Sequence, residues 1–486
     1  MYFTNIVLNT GKGVNDLGNY DGCNAAEGLK HAVVRITDFQ VTNIYLGVCI
    51  PDTCTSLETA MAEQAMTELV ADSGLSVEIS FEGSEGVTPK GPIIASCIFL
   101  ALFIGILAFA IVVQYTSILN HTKYGNRTDN PVETKNRLGK FFLSFSVIRN
   151  IEKIFYTPKP KPNDYLTILN GIRFLSICWV VLGHSFLSIF MYPSTNISEI
   201  GDFVSPWWFE VIPSGVFAVD VFFFLSAFLG TYLLIPKPFD KSIVGFLVVY
   251  FHRIFRLLPP IVLMTCVFIA FYRYLGDGPI WLGISEGSIQ NCKDQWWYNF
   301  LFINNVLPSS QPSACFGWLW YLANDFQFFL ILPFQIMAYK RHRYLGYASC
   351  YVLLGFSIFT TYTISAINDI NVSIFTDFQY ATLLYFKPWV RIGAYQVGII
   401  FGMWYYEWIN KSKKIRYKKS IGTLYFETVK NNRVLRYFQY LAGFVVITFL
   451  VFFPHPETKR LGTDTRYYPL AVVNFYTALS RPLFVF

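Results

Sequence analysis

Apolar and polar positions follow two different rhythms along the chain. Up to residue 90, short apolar runs around Ala32–Arg35, Ile44–Ile50 and Ser76–Phe81 are broken by polar turns, which predicts three strands. Between the last two, Thr55 with Glu58 three residues later makes a capping box ahead of Leu57, Met61, Ala65 and Leu69, predicting a helix with one apolar face. Residues 1–90 therefore read as a small α+β domain. From Pro92 the rhythm changes, because Ile93–Val113 runs 21 residues without a charge. At ~1.5 Å per residue that run crosses ~30 Å of hydrocarbon. Eight further apolar stretches follow, at about 171–192, 213–235, 257–274, 319–339, 344–363, 389–408, 437–454 and an incomplete one from 468. The fold class predicted is mainly α: a polytopic membrane helix bundle of about nine spans behind a small N-terminal α+β domain. The divisions are 1–90, a first transmembrane helix over 91–119, a basic linker over 120–164, and a transmembrane domain over 165–486.

Composition agrees with the pattern. Only 14% of the 486 residues are charged, against roughly 25% in ordinary soluble domains, and 19% are aromatic. Residues 1–90 carry four Lys/Arg and twelve Asp/Glu, so the net +7 conceals −8 in this region and +15 in the remainder. The basic residues sit in short clusters between apolar runs, as in cytoplasmic membrane loops, which argues against a nucleic-acid partner and for the lipid bilayer. The linker 120–164 holds nine Lys/Arg against four Asp/Glu. Later clusters are Lys237, Lys241, Arg253 and Arg256, then Lys340–Arg343, then 411–419, all on one predicted side. The acidic N-terminal domain, the segment holding Cys292 and Cys315, and the glycosylation sequons at Asn196 and Asn371 fall on the other, extracytoplasmic side. Cys292 and Cys315 are expected to form a disulfide; Cys23, Cys49 and Cys54 make an odd number, so one of them lacks a partner within the domain. An endomembrane or the plasma membrane is the expected location.

Ionisable residues inside spans are costly and are candidates for function by default. Arg173 and His184 in the second span are eleven residues apart, so they share a helix face about 20° from alignment and roughly 16 Å apart. Arg173 at the inner mouth suits a phosphate-bearing ligand, and a neutral His184 deeper in the bundle suits proton transfer. The plainer reading is an interfacial anchor and a core histidine. Asp220 in the third span needs a partner, with Arg173 and His184 the nearest candidates in sequence. Arg253 and Arg256, at i and i+3, either anchor the inner surface or cradle donor phosphates. On the opposite side Asn324, Asp325, Lys387 and Arg391 either receive a polar acceptor or pair among themselves, Asp325 with Lys387 or Arg391. The six histidines lack metal-ligand spacing, and no Cys-x-x-Cys or Gly-rich phosphate loop occurs.

Arg173-x10-His184, Phe222-Phe-Phe-Leu-Ser226, Arg253-x2-Arg256-x2-Pro259 and Trp320-Tyr-Leu resemble, in order and spacing, the acyltransferase-3 superfamily of membrane O-acyltransferases. Leu17-Gly-Asn-Tyr-Asp21-x-Cys23, Gly47-Val-Cys49-Ile-Pro51-x2-Cys54, Cys292-x3-Trp296-Trp297, Asn324-Asp325-Phe-Gln327 and Lys387-Pro388-x2-Arg391 resemble its nose resistant to fluoxetine branch. The resemblance implies transfer of an acyl group from a cytosolic acyl-CoA-type donor to a hydroxyl-bearing acceptor, without a metal. His184 would be the base, Arg173 its donor-side partner, Arg253 and Arg256 the phosphate ligands, and Asp220 an orienting group. Two departures stand out: Ala32 occupies a position where a cysteine is expected, and the resemblance stops inside a span at Ser480-Arg481-Pro482. The latter implies further helices, from a longer chain, a second chain or a larger membrane assembly. The alternatives to an enzyme are a lipid- or drug-handling transporter and a structural subunit.

The charge bias predicts that a reagent reaching Asn196 from one side of intact vesicles leaves 411–419 unlabelled. Cysteine-scanning accessibility checks this, and labelling of both segments from one side overturns the topology.

Overall fold

In the computed structural model, residues 2–12, 15–38, 43–54, 56–70, 75–81, 90–120, 137–156, 166–191, 199–239, 242–307, 314–372, 379–411, 420–460 and 467–486 are described. Thr55, Lys241, Asn196, the sequon serine Ser373, the basic run 412–419 and residues 121–136 and 157–165 of the linker region lie outside them. The N-terminal part is α1 (Tyr2–Asn9), α2 (Tyr20–Ala25), β1 (Leu29–Asp38), β2 (Asn43–Pro51), α3 (Ser56–Val70) and β3 (Leu75–Phe81). The three strands form one antiparallel sheet in the order β2-β1-β3, with Val33 opposite Gly47 and Ala32 opposite Phe81. Central β1 supplies the buried Ala32, Val33 and Val34. Cys23 and Cys49 form a disulfide that joins α2 to β2, which leaves Cys54 as the unpaired member. Ala32 is buried between Val48 and Phe81.

The remainder is helical: α4 (Lys90–Asn120), α5 (Arg137–Ser144), α6 (Val147–Phe155), α7 (Ile168–Met191), α8 (Ile200–Val204), α9 (Val216–Leu234), α10 (Ile243–Phe271), α11 (Trp281–Phe300), α12 (Trp320–Arg341), α13 (Arg343–Ile367), α14 (Pro388–Ile409), α15 (Ile421–Asn431), α16 (Arg433–Phe452), α17 (His455–Thr458) and α18 (Leu470–Val485). Two compact units are distinguishable: one comprises 1–84, 168–258 and 277–486, the other 85–167 and 259–276. Among the described residues six helical segments are long and apolar enough to cross a membrane: Ile93–Gln114, Ile168–Leu187, Trp207–Leu234, Ile243–Leu275, Arg343–Ile367 and Arg433–Thr458. The chain is thus a polytopic helix bundle with a small α+β N-terminal part.

Of the nine expected spans three fall short: α18 is only 16 residues long, and the other two differ for a physical reason. Segments α12 and α14 have spanning length but carry Asn324, Asp325, Gln327 and Gln335, and Arg391, Gln396 and Glu407, respectively. They are also the most enclosed: Trp320, Phe328, Leu332 and Ile336 of α12 and Ile392, Tyr395, Ile399 and Met403 of α14 meet Val219, Phe223 and Ala227 of α9 in the main core. A helix wrapped in protein tolerates polar groups that a lipid-facing helix does not. A second correction concerns α10. It begins at Ile243, not near 257, so Arg253 and Arg256 lie within the helix instead of in a cytoplasmic loop.

A close helix contact is made by Gly398 and Gly402, one turn apart on α14, against α9. A Cβ on Gly398 would lie 2.8 Å from the Ala227 Cβ, and one on Gly402 would lie 2.8 Å from the carbonyl oxygen of Phe228. The small-x-x-x-small spacing at 398 and 402 is the sequence signal for this approach. Gly398→Ala should cost about 1–3 kcal/mol by overpacking. Gly443→Ala on α16, where an added Cβ meets nothing within 4 Å, should leave stability intact. Thermal unfolding of the two variants in the same detergent checks the contrast.

Candidate functional site

Two charge pairs organise the bundle, one fully buried and one partly exposed. On α9, Asp220 and Ser226 are six residues apart and therefore point about 240° apart around the helix. Asp220 faces α14: Arg391 Nη1 donates to its Oδ2 at 2.6 Å, and both side chains are fully buried. Arg391 also donates from Nε to the Tyr385 carbonyl at 2.8 Å, and its guanidinium lies 4.2 Å from the centre of the Tyr385 ring and 5.4 Å from that of Trp320. The carbonyl is available because Tyr380–Tyr385 form a π-helical turn just before Pro388 opens α14. Buried Arg481 of α18 adds a second cation, donating to the Tyr380 hydroxyl at 3.0 Å.

Ser226 faces the other way. Its hydroxyl donates to Asp325 Oδ1 of α12 at 2.6 Å and accepts from Arg253 Nη2 of α10 at 3.2 Å. Arg253 and Asp325 are ion-paired, and the Arg253 guanidinium stacks over Phe329, 4.2 Å from the ring centre. Tyr321 and Tyr395 lie within electrostatic reach of this pair, and Tyr321 also senses Arg173. The Tyr395 hydroxyl and Arg253 Nε are buried with no hydrogen-bond partner, so the cluster keeps two polar groups uncommitted.

A third group is an amide clasp. Asn305 donates to Asn324 at 2.7 Å and to Gln327 at 3.0 Å, and Asn324 donates to the Phe386 carbonyl at 2.9 Å. Lys387 Nζ donates to the Asn305 carbonyl at 3.1 Å. The expected disulfide Cys292–Cys315 is formed, and Asn299 donates to the Cys315 carbonyl at 2.8 Å beside it.

Several expected partnerships are thereby corrected. Asp220 pairs with Arg391, not with Arg173 or His184, and Asp325 pairs with Arg253, not with Lys387 or Arg391. Arg253, read as a phosphate ligand, has its charge met by Asp325, whereas Arg256 is exposed and lines an open groove of about 430 Å³ with His252 and Phe251. The only expected acceptor-side residues that meet are Asn324 and Lys387, through Asn305. Arg173 and His184 are both exposed on α7 and line neither that groove nor the small cavity, about 20 Å³, beside Glu210, Ser214 and Tyr380. The reason lies in how α7 docks: Trp179 Nε1 donates to the Val211 carbonyl at 2.6 Å, and Gly183 faces the Ile212 carbonyl, so the packed side is the one bearing Trp179 and Gly183. At Asn371, the amide nitrogen a glycan would occupy donates to the buried Glu457 carboxylate at 3.4 Å.

His184 has a defined tautomer. Its Nδ1 lies 2.9 Å from the Val180 carbonyl, and since a carbonyl has no proton to give, Nδ1 carries the hydrogen and the neutral ring keeps its lone pair at Nε2. Arg481, Tyr395 and Asn305 were not singled out from the sequence as parts of a site. Their one sequence signal was a polar or cationic group amid apolar residues.

Asp220→Ala should destabilise the bundle by about 3–5 kcal/mol, because Arg391 is left charged and buried. Asp220→Leu combined with Arg391→Met should recover most of the loss; unfolding in mixed micelles measures both.

Residues 166–479 match the acyltransferase domain family. The chain is 26% identical over 406 residues to nose resistant to fluoxetine protein 6 of Caenorhabditis elegans, covering 76% of this chain and 48% of that protein. It is 21% identical over 292 residues to regulator of hypoxia-inducible factor 1 of the same organism, covering 54% of each. The chain therefore spans about half the length of the curated relatives it matches. No solved structure matches it. The family match takes in the helices that carry Arg173, His184, both ion pairs and the amide clasp, and on that match the chain belongs to the acyltransferase domain family.

Proposed function

We propose that this chain is a membrane-embedded acyltransferase that moves an acyl group from a cytosolic acyl-CoA-type thioester to a hydroxyl-bearing acceptor, with His184 as general base. The observation that carries the reading is the placement of His184: its Nδ1 is engaged by the Val180 carbonyl, which leaves Nε2 as the ring nitrogen available to a substrate proton on an open helix face that also bears Arg173. Nε2 takes the acceptor proton as the hydroxyl oxygen attacks the thioester carbonyl carbon. The tetrahedral intermediate then collapses, the C–S bond breaks, and the imidazolium returns the proton to the departing thiolate. Arg173 and Arg256, both exposed, are the cations left to bind donor phosphates once Arg253 is paired with Asp325. In this reading Asp220 and Asp325 hold helices in place and do not contact the reacting atoms.

General-base catalysis contributes roughly 10²–10⁴ in rate. His184→Ala in lipid nanodiscs should therefore lower acyl transfer by about that factor while donor binding is unchanged, because proton transfer is expressed only in the transition state. Arg173→Ala should instead weaken donor binding. Single-turnover assays with a labelled acyl-CoA, alongside equilibrium binding, separate the two. Full turnover in the His184→Ala chain removes the enzyme reading.

A further inference from the structure

The short helix α6 (Val147–Phe155) is followed by Tyr156 and preceded by Ser146, whose side chain caps it by accepting from the Arg149 amide at 3.4 Å. At 100° per residue, Val147, Ile148, Ile151, Ile154 and Phe155 fall within an arc of about 120°, and Arg149, Asn150, Glu152 and Lys153 occupy the opposite side. The apolar arc is not covered by protein: Ile151 is 49% exposed, Ile154 76% and Phe155 80%. Nine residues make a helix about 14 Å long, too short to cross a bilayer.

Its height in the bilayer is set by α4. The Ser146 hydroxyl is hydrogen-bonded to the Gln114 side-chain carbonyl, and Gln114 closes the apolar segment Ile93–Gln114. In the preceding α5, Phe142 packs edge-on against Phe109 of α4, with ring centres 4.8 Å apart, and Leu143 is buried. The start of α6 is thus tied to the level where hydrocarbon ends. An amphipathic helix of this length, held at this depth with its apolar face bare, has the geometry of a helix lying in the interface plane.

We propose that α6 lies in the leaflet facing the basic linker and binds its anionic headgroups. Ile151, Ile154 and Phe155 enter the acyl boundary, and Arg149 and Lys153 meet lipid phosphates and carboxylates. The charge argument extends to the whole linker, where nine Lys/Arg stand against four Asp/Glu over 120–164. The proposal is independent of the acyl-transfer reading.

The test places an environment-sensitive fluorescent amino acid at position 154 or 152 of the full chain reconstituted in vesicles. The vesicles are of phosphatidylcholine alone or with phosphatidylserine, each with and without tail-brominated lipid. The probe at 154, not at 152, should be quenched by brominated tails, and more strongly with phosphatidylserine. Arg149→Glu with Lys153→Glu should abolish the phosphatidylserine increment, since each basic residue near an anionic surface strengthens association about fivefold. Equal quenching at both positions overturns the proposal. So does quenching at 154 that ignores phosphatidylserine and charge reversal, because no anionic lipid is then recognised. Shielding of 154 from aqueous iodide without lipid quenching overturns it in favour of a protein partner.

Discussion

A charged group buried in a low-dielectric bundle is costly unless it is paired, and the helix arrangement here depends on two guanidinium–carboxylate pairs. Asp220 with Arg391 ties α9 to α14, and Asp325 with Arg253 ties α12 to α10. Ser226 joins the second pair to α9, so a single helix presents polar groups to both. Rotating α9 by even one residue position, about 100°, would strand both partners. The pairs therefore define one register among the helices, a role for buried charge that apolar packing alone performs less selectively.

This division of charge shapes what remains for chemistry. With Arg253 and Arg391 committed to carboxylates, the exposed ionisable groups among those singled out are Arg173, His184 and Arg256. The buried set gives rigidity, aided by the close approach of Gly398 and Gly402 to α9 and by the amide clasp that fixes the start of α12 to the start of α14. The Cys292–Cys315 bridge, with Asn299 donating to the Cys315 carbonyl, holds the segment that supplies Asn305 to that clasp. Preorganised supports of this kind let a reactive side chain on a neighbouring helix keep its geometry.

The candidate site was legible in the sequence only in part. That Arg173 and His184 share one face of α7 follows from helical periodicity, and that Asp220 and Asp325 need partners follows from the cost of burying charge. Arg253 was misplaced because a cluster of basic residues reads as a loop when its neutralising carboxylate lies on another helix. That Arg173 and His184 lie away from the packed side of α7 was equally illegible, since which side packs is decided by Trp179 and Gly183 meeting carbonyls of 211 and 212.

The sequence by itself determined what depends on near neighbours: the three strands of the N-terminal sheet, the helix between the last two of them, the apolar helices and the α7 face carrying Arg173 and His184. These rest on periodicities of two and 3.6 residues and on the length of uncharged runs. Only the tertiary structure decided which charge meets which. Asp220 and Arg391 are 171 positions apart and Arg253 and Asp325 are 72, and several arginines compete for each carboxylate. Such a choice is made by side-chain distances within the packed bundle, and those distances are set by helix packing that no local pattern encodes.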